Sequence, residues 1–182
     1  MKNTETEVKY KIDKLPNLLP KPHNIRQIYF DINKVSNLVS EVFPSIDLSI
    51  ISTFRVRRIE YDDIKYILTL KTKAIGYTRG EFEKEITEDL FNKIIKDNVL
   101  SEIIKNRYVI EKNGYKFEID EYLNLKIELF TCEVEVDLIS DTVLASIERI
   151  LKNDFMVDYL NVSDDVRYRN SNLIKYFGVK ND

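Results

Sequence analysis

The sequence of 182 residues lacks the components of several common active sites. It contains one histidine, His23, and one cysteine, Cys132, so a zinc site of nitrogen and sulfur ligands cannot be assembled and no internal disulfide can form. Its four glycines are scattered, and none belongs to a phosphate loop or a dinucleotide fingerprint. If the protein binds phosphate, side chains must hold it, and carboxylates must hold any metal.

Long apolar runs and a strong net charge are also missing. No run approaches the roughly 18 apolar residues that a membrane span needs. The 28 basic and 31 acidic side chains give a formal charge of −3, so we expect neither a membrane nor general nucleic-acid partners. The start, MKNTETEVKYKI, is charged where a signal peptide needs an apolar stretch, and the single cysteine fits a reducing compartment. We therefore expect a cytoplasmic protein with a single domain over residues 1–182.

The sequence is rich in short runs that alternate apolar and charged residues, as half-buried strands do. Six such runs are TETEVKYKI, STFRVRRIE, KYILTLKTK, GEFEKEI, YKFEIDEY and TCEVEVDLI, with RQIYFDI and NRYVIE as two further candidates. Residues 34–43, 87–105 and 140–153 have helical spacing instead, with Thr87 and Ser140 as predicted N-caps. A turn at Asn113-Gly114 predicts a hairpin. These patterns predict one antiparallel, β-rich α+β domain.

The charged residues of each predicted strand share one face, because residues two apart point the same way. Arg55 and Arg57 share a face, for example, as do Glu133 and Glu135. For any single strand, the solvated side of an open sheet is the better interpretation. Opposed blocks of acids and bases on six strands favour instead a barrel with an inward charged face. Its cations would hold phosphate, its acids would hold divalent metal, and the helices would cover its apolar exterior.

Ordered motifs along nearly the whole chain resemble the CYTH superfamily, the triphosphate tunnel metalloenzymes. Glu5-Thr6-Glu7-Val8-Lys9 resembles the family's N-terminal ExExK signature. The motifs that follow in order are Gln27-Ile28-Tyr29, the Arg55/Arg57 strand, Leu68-Thr69-Leu70-Lys71, Arg79-Gly80-Glu81-Phe82-Glu83, Lys105-Asn106-Arg107-Tyr108, Phe117-Glu118-Ile119-Asp120, Glu133-Val134-Glu135 and Asp165-Val166-Arg167-Tyr168-Arg169-Asn170. The last resembles a D-K-R-Y-K-N box, with Val166 and Arg169 in place of its two lysines.

The resemblance implies a closed eight-stranded antiparallel tunnel that binds a triphosphate with Mg²⁺ or Mn²⁺. It implies Glu5, Glu7, Glu133 and Glu135 as the principal metal ligands, with Glu118 and Asp120 supporting a second metal. The phosphate-binding cations would be Lys9, Arg55, Arg57, Lys71, Lys73, Arg79, Lys105, Arg107 and Arg169. Glu81 and Glu83 would be metal ligands or would orient these cations. Lys9, Glu7 and Glu135 are the predicted catalytic residues, and Lys9 would polarise the attacking water or hold the terminal phosphate.

Hydrolysis of inorganic tripolyphosphate is the predicted activity, because the chain is compact and shows no added module for a base. Thiamine triphosphatase and class IV adenylate cyclase are close alternatives, because both act on a triphosphate that is bound in the same way. RNA 5′-triphosphatase is a more distant alternative. A non-catalytic polyphosphate- or nucleotide-binding module is the alternative from another class, and a structural domain with a solvated charged face is a third. The sequence leaves the oligomeric state open.

Overall fold

A computed structural model describes residues 4–75 and 77–180, apart from the side chain of Glu5. All eight predicted strands are present in these ranges, together with two short strands that the alternation did not predict. The strands are β1 (Glu5–Ile12), β2 (His23–Phe30), β3 (Ile51–Glu60), β4 (Ile64–Thr72), β5 (Thr78–Arg79), β6 (Glu81–Ile86), β7 (Val99–Lys112), β8 (Tyr115–Tyr122), β9 (Phe130–Glu135) and β10 (Tyr159–Asn161).

The strands form one antiparallel sheet in the order β10-β1-β9-β8-β7-β2-β3-β4-β6, with β5 paired to β1. The predicted closed barrel of eight strands is therefore corrected: nine strands run from β10 to β6 with β5 beside β1, and among the described residues hydrogen bonds do not close this sheet into a ring. Gly80 stays bonded to Thr72 of β4 through both its N–H and its carbonyl. The residues before Gly80 reach β1: Arg79 pairs with Glu5, Thr78 pairs with Thr6, and the Tyr77 carbonyl accepts the Glu7 N–H at 3.4 Å.

The described helices are α1 (Ser36–Val42), α2 (Glu88–Ile95), α3 (Asp141–Arg149) and α4 (Leu173–Phe177), and a π-helical turn (Ile150–Asp154) continues α3. Both predicted N-caps are confirmed. The Thr87 hydroxyl accepts the Leu90 N–H at 3.2 Å, and the Ser140 hydroxyl accepts the Val143 N–H at 3.3 Å. Within the described residues, no helix combines the length and the apolar character needed to cross a membrane.

The predicted helix over residues 87–105 is wrong in its second half, because α2 ends at Ile95 and β7 begins at Val99. Asp97 adopts a positive φ of 55°, a left-handed conformation that stops a helix. The side chain of Asn98 then donates to the carbonyl of Ile94 at 3.2 Å and satisfies one of the helix's last acceptors.

The hairpin between β7 and β8 is confirmed. Lys112 pairs with Tyr115, and the two residues between them have φ values of 51° (Asn113) and 80° (Gly114). Positive φ at both central positions is the geometry that the twist of a two-residue hairpin favours. This turn sets the register that places the charges of β7 against those of β8.

The apolar sides of the strands face outward, where the helices cover them. One cluster joins Val8, Phe117 and Val134 of the sheet to Ile147 of α3. A second joins β2, β3 and β4 to α1 and to Phe91 of α2. Burial of one such large side chain contributes about 1.5–3 kcal/mol to stability. Because the apolar faces pack against the helices on the outside, the charged faces lie on the inner side of the sheet.

Part of the inner face is apolar. Tyr29, Ile103 and Tyr122 lie on the same side of their strands as the charged residues and pack with Leu173 of α4. This cluster is closely packed, and Ile103 and Leu173 are both fully buried. It separates the charged part of the inner face from α4.

Candidate active site

The inner face of the sheet lines two adjoining cavities, with volumes of about 320 Å³ and about 390 Å³. Because several residues line both cavities, we treat them as two parts of one space and call it the lumen. The shared residues are Glu7, Arg55, Lys71, Arg79, Glu133 and Asn170. The prediction that the charged face lines a cavity is confirmed.

Most of the predicted site residues border the lumen. Those lining the first cavity are Glu7, Arg55, Arg57, Lys71, Arg79, Glu81, Glu83, Arg107, Glu118, Glu133 and Glu135, while Lys9, Lys73 and Arg169 line the second. The side chain of Glu5 lies outside the described residues. Lys105 and Asp120 border neither cavity and form a buried ion pair behind the lining. These positions bring the residues together, and the roles assigned to them stay predictions.

The carboxylates of β1, β8 and β9 form what we call the acidic wall, which comprises Glu7, Glu118, Asp120, Glu133 and Glu135. In the sheet register Glu7 lies opposite Glu135, and Glu118 lies opposite Glu133. Like charges directly opposite each other destabilise a sheet, so these pairs need nearby cations. Arg79 Nη2 lies 2.7 Å from Glu7 Oε1, and Lys9 Nζ lies 2.9 Å from Glu133 Oε1.

Asp120 is the most heavily bonded member of the acidic wall. Its carboxylate accepts Lys105 Nζ at 2.6 Å, Arg107 Nε at 2.7 Å and Arg107 Nη2 at 2.6 Å. The side chains of Lys105 and Asp120 are only 1% and 0% exposed. Burial and the charge of Arg107 lower the pKa of Lys105 to about 8. Asp120 therefore fixes the position of Arg107, whose guanidinium reaches the lumen.

Arg107 links Asp120 to the rest of the acidic wall. Its guanidinium bonds Glu118 and lies 2.8 Å from Glu133 Oε2. Burial opposes charge on Glu133, but Lys9, Arg107 and Lys105 hold the pKa of that carboxyl well below its ordinary value. Glu133 is therefore ionised at neutral pH.

The cations of β3 and β4 form the basic wall, which comprises Arg55, Arg57 and Lys71. Glutamates of the neighbouring β6 are its counter-ions. Lys71 Nζ lies 3.0 Å from Glu81 Oε1, and both arginines contact Glu83. Burial and the charge of Arg55 lower the pKa of Arg57 to about 10. Burial opposes charge on Glu83 too, yet Arg57 and Arg55 bring its pKa down to about 2.

The basic wall has unused hydrogen-bonding capacity. The Nε atoms of Arg55 and Arg57 are buried, and neither has a hydrogen-bond partner among the described residues. An unsatisfied buried donor costs free energy of about 1–3 kcal/mol, and more for a charged group. A phosphate oxygen is a suitable acceptor, because the arginine fork matches phosphate oxygens two at a time.

Asn170, a neutral residue that lies within the last motif but was assigned no role, also lines the lumen. The side-chain carbonyl of Asn170 accepts Lys9 Nζ at 3.1 Å and the Tyr122 hydroxyl at 2.6 Å. The sequence comparison placed Asn170 in the C-terminal box but assigned phosphate binding to its charged neighbour Arg169. The partners of Asn170 are remote in sequence, so no local pattern identifies it.

The lumen's acids have the right chemistry for a hard divalent metal, because carboxylate oxygens are the ligands that Mg²⁺ and Mn²⁺ prefer. Their present arrangement is not a ready metal site: among the residues described, no group of three or more acidic, histidine or cysteine side chains could hold a metal ion. Glu7, Glu118 and Glu133 instead bond arginines or lysines.

Comparison with known proteins relates the chain to triphosphatases. It is 30% identical over 119 residues to an inorganic triphosphatase of Acetivibrio thermocellus, a match that spans 65% of this chain and 70% of the relative. Its fold matches the crystal structure of an inorganic triphosphatase at 22% identity, with a TM-score of 0.55 and 93% of each chain covered. No family model matches the sequence.

A Hippeastrum protein described as an adenylyl cyclase candidate with dominant triphosphatase activity has the same fold. The TM-score is 0.55 at 16% identity, and the match covers 85% of this chain and 89% of that one. Fold and lumen thus define a protein of the triphosphate tunnel class. The chain belongs to the CYTH superfamily, alongside the inorganic triphosphatase to which its sequence is similar.

Proposed function

We propose that this protein is a divalent-metal-dependent triphosphatase that hydrolyses inorganic tripolyphosphate and releases orthophosphate. The observation that carries the proposal is the basic wall, where Arg55 and Arg57 line the first cavity and their buried Nε atoms lack acceptors within the described ranges. The similarity to an inorganic triphosphatase supports the same reaction class. In this proposal the curved sheet acts as a tunnel that surrounds the substrate.

Substrate binding exchanges ion-pair partners in this proposal. Arg55, Arg57 and Lys71 now contact Glu81 and Glu83. A triphosphate would take over these cations, since its oxygens carry more charge and match the arginine fork. Arg79 would likewise turn from Glu7 toward phosphate, and Arg107, still held by Asp120, would release Glu118 and Glu133. The carboxylates that they release would then be available to a metal.

The proposed metal ligands are Glu7, Glu133 and Glu135, with Glu5 and Glu118 as further candidates, and the metal is Mg²⁺ or Mn²⁺. When bound, such an ion neutralises charge on the phosphates and lowers the pKa of a coordinated water. Asp120 is better suited to hold Arg107 and Lys105 in place, because three donor atoms already occupy its carboxylate.

The protein's own residues provide position and electrostatic field. The arginines of the basic wall orient the phosphate chain through paired hydrogen bonds, and Lys71 and Lys73 add point charges toward the second cavity. Lys9, held between Glu133 and Asn170, places an ammonium group in the lumen, where it would hold the terminal phosphate or polarise the attacking water. Positioning of this kind accounts for most of the catalysis in phosphoryl transfer.

Incubation with tripolyphosphate, thiamine triphosphate and ATP, each with Mg²⁺ or Mn²⁺, tests the proposal. We expect orthophosphate release, fastest with tripolyphosphate and absent with EDTA. Pyrophosphate release from ATP would indicate a cyclase instead, and faster turnover of thiamine triphosphate would reassign the substrate. Binding of tripolyphosphate without turnover under either metal would identify a non-catalytic module. A protein that neither bound nor hydrolysed any of these compounds would contradict a role in triphosphate chemistry.

A further inference from the structure

Asn170 occupies the junction between the two cavities. It follows the short 3₁₀ turn Val166–Tyr168 near the end of the chain, and it is one of the residues that line both cavities. Its side-chain oxygen accepts two hydrogen bonds, from Lys9 Nζ at 3.1 Å and from the Tyr122 hydroxyl at 2.6 Å. A phosphate chain that extends from one cavity into the other passes between the residues that the two cavities share, and Asn170 is one of them.

The contact with Lys9 fixes the orientation of the Asn170 amide. An ammonium group can only donate, so the amide atom that faces it must be the carbonyl oxygen. The NH₂ group therefore faces away from Lys9. Among the residues described, this NH₂ group has no hydrogen-bond partner, while the oxygen of the same amide has two.

The backbone of Lys9 is held by the same C-terminal segment. Its N–H donates to the Ser163 hydroxyl at 2.9 Å, and its carbonyl accepts the Val162 N–H at 2.9 Å. Asn170 completes this arrangement at the far end of the side chain. The C-terminal segment thus holds the Lys9 ammonium together with Glu133, although Lys9 and Asn170 are 161 positions apart.

We propose that Asn170 orients the substrate in two ways: its carbonyl fixes the Lys9 ammonium, and its NH₂ group donates to an anionic phosphate oxygen. A neutral donor suits this place, because it binds an anion without adding a charge that would pair with Glu7 or Glu133. The inference rests on the proposed triphosphatase function, and it adds an uncharged residue to the proposed substrate-binding residues.

Two substitutions at this position separate the contributions of the oxygen and the nitrogen. Asn170→Asp keeps an oxygen acceptor for Lys9 and Tyr122 but replaces the donor with an anionic oxygen, whereas Asn170→Ala removes both. Asn92→Ala, an exposed asparagine on α2, is the matched control. For each variant, kcat and KM for tripolyphosphate would be measured with MgCl₂, with calorimetric affinity and the thermal unfolding midpoint as further readouts.

We expect Asn170→Ala to raise KM about tenfold and Asn170→Asp to raise it about a hundredfold, the range of one to two hydrogen bonds to a charged group. Asn92→Ala should behave as the wild type. If the KM of the Asn170→Asp variant were equal to or lower than that of the Asn170→Ala variant, the proposal would be overturned. Aspartate keeps the oxygen acceptor, so a role limited to structure or to positioning Lys9 would tolerate it. A wild-type protein that neither binds nor hydrolyses tripolyphosphate would overturn the triphosphatase assignment as well.

Nuclear magnetic resonance on the wild-type protein gives a second test that needs no folded variant. The side-chain NH₂ resonances of Asn170 should shift when tripolyphosphate and MgCl₂ are added. Unchanged resonances, while lumen backbone signals shift, would show that the amide does not contact the substrate and would overturn the proposal.

Discussion

The two walls of the lumen carry opposite charge, and each is neutralised by a neighbouring strand in a different way. On the acidic wall, Asp120 is fully buried and bonded to both Lys105 and Arg107 of β7. On the basic wall, the counter-ion Glu83 of β6 has a side chain that is 40% exposed. Both walls are paired, but among the described residues a completely desolvated ion pair occurs only on the acidic wall.

This difference separates a fixed part of the site from an exchangeable one. A fully buried pair that loses one partner leaves an uncompensated charge, so its members are held together strongly. A partly exposed carboxylate can release its arginines at low cost, since water replaces them. We therefore expect the buried Asp120–Lys105 pair to supply rigidity, and the partly exposed pairs, above all those of Glu83, to change partners when substrate binds.

The largest effect on activity is expected from the carboxylates that the acidic wall presents to the lumen. Glu7→Gln and Glu135→Gln should each abolish metal-dependent phosphate release, because each removes a negative charge from a proposed metal ligand while keeping the shape of the side chain. Circular dichroism should show an intact fold. Glu128→Gln, an exposed glutamate outside the lumen, is the control. Unchanged hydrolysis in both lumen variants would refute these ligand assignments.

The largest effect on stability is expected at Asp120. Asp120→Asn leaves Lys105 and Arg107 without their buried counter-ion, which should reduce the free energy of unfolding by about 3–5 kcal/mol. The matched change Glu83→Gln, at the counter-ion of the basic wall, should reduce the free energy of unfolding by about 1 kcal/mol or less, because Glu83 is partly exposed. Denaturant unfolding of both variants compares the walls directly, and equal losses would mean that they do not differ in rigidity.

Substrate affinity should depend on the basic wall. Arg55→Ala should weaken tripolyphosphate binding by about 1.5–3 kcal/mol, the value of hydrogen bonds to a charged group. Arg58→Ala, on the same strand but bonded to Glu60, should leave affinity unchanged. Calorimetric titration gives both values, and equal affinities for the two variants would place the phosphates elsewhere.

The smallest effect is a pH dependence of stability that Glu83 contributes. Its pKa lies at about 2, below the ordinary value of 4.5, because Arg57 and Arg55 outweigh the effect of burial. The stabilisation is fully present above the unfolded pKa and is lost as pH falls toward about 2. The difference in thermal midpoint between the wild type and Glu83→Gln, measured without metal, should therefore shrink over this window. A constant difference would show that the carboxylate is not stabilised by its arginines.

The sequence predicted the strands well because period-two alternation is a local property of each strand. The helix error at residues 87–105 came from the same kind of signal: Ile103 and Ile104 extend the helical spacing, and only the left-handed Asp97 stops the helix. Among the described residues the ladder is left open between β10 and β6, and which strands lie at its ends depends on pairing between remote residues that no local pattern records.

The candidate site was predicted in part, for a similar physical reason. Alternation correctly assigned charged side chains to the inner face, but it could not separate Lys105 and Asp120, buried behind the lining, from their neighbours in the lumen. Asn170 carries no charge, and its contacts join strands far apart in sequence. The burial of Lys105 and Asp120 and the contacts of Asn170 both depend on which remote residues the fold brings together, and composition does not show this.

The central claim is that the basic wall exchanges its carboxylate partners for a triphosphate. A crystal structure with tripolyphosphate and Mn²⁺ tests it most directly. We predict phosphate oxygens within hydrogen-bond distance of the Nε atoms of Arg55 and Arg57, Glu83 displaced from both arginines, and the Asp120–Lys105 pair unchanged. Phosphates bound outside the lumen, or arginines still paired with Glu83 beside a bound triphosphate, would contradict the account.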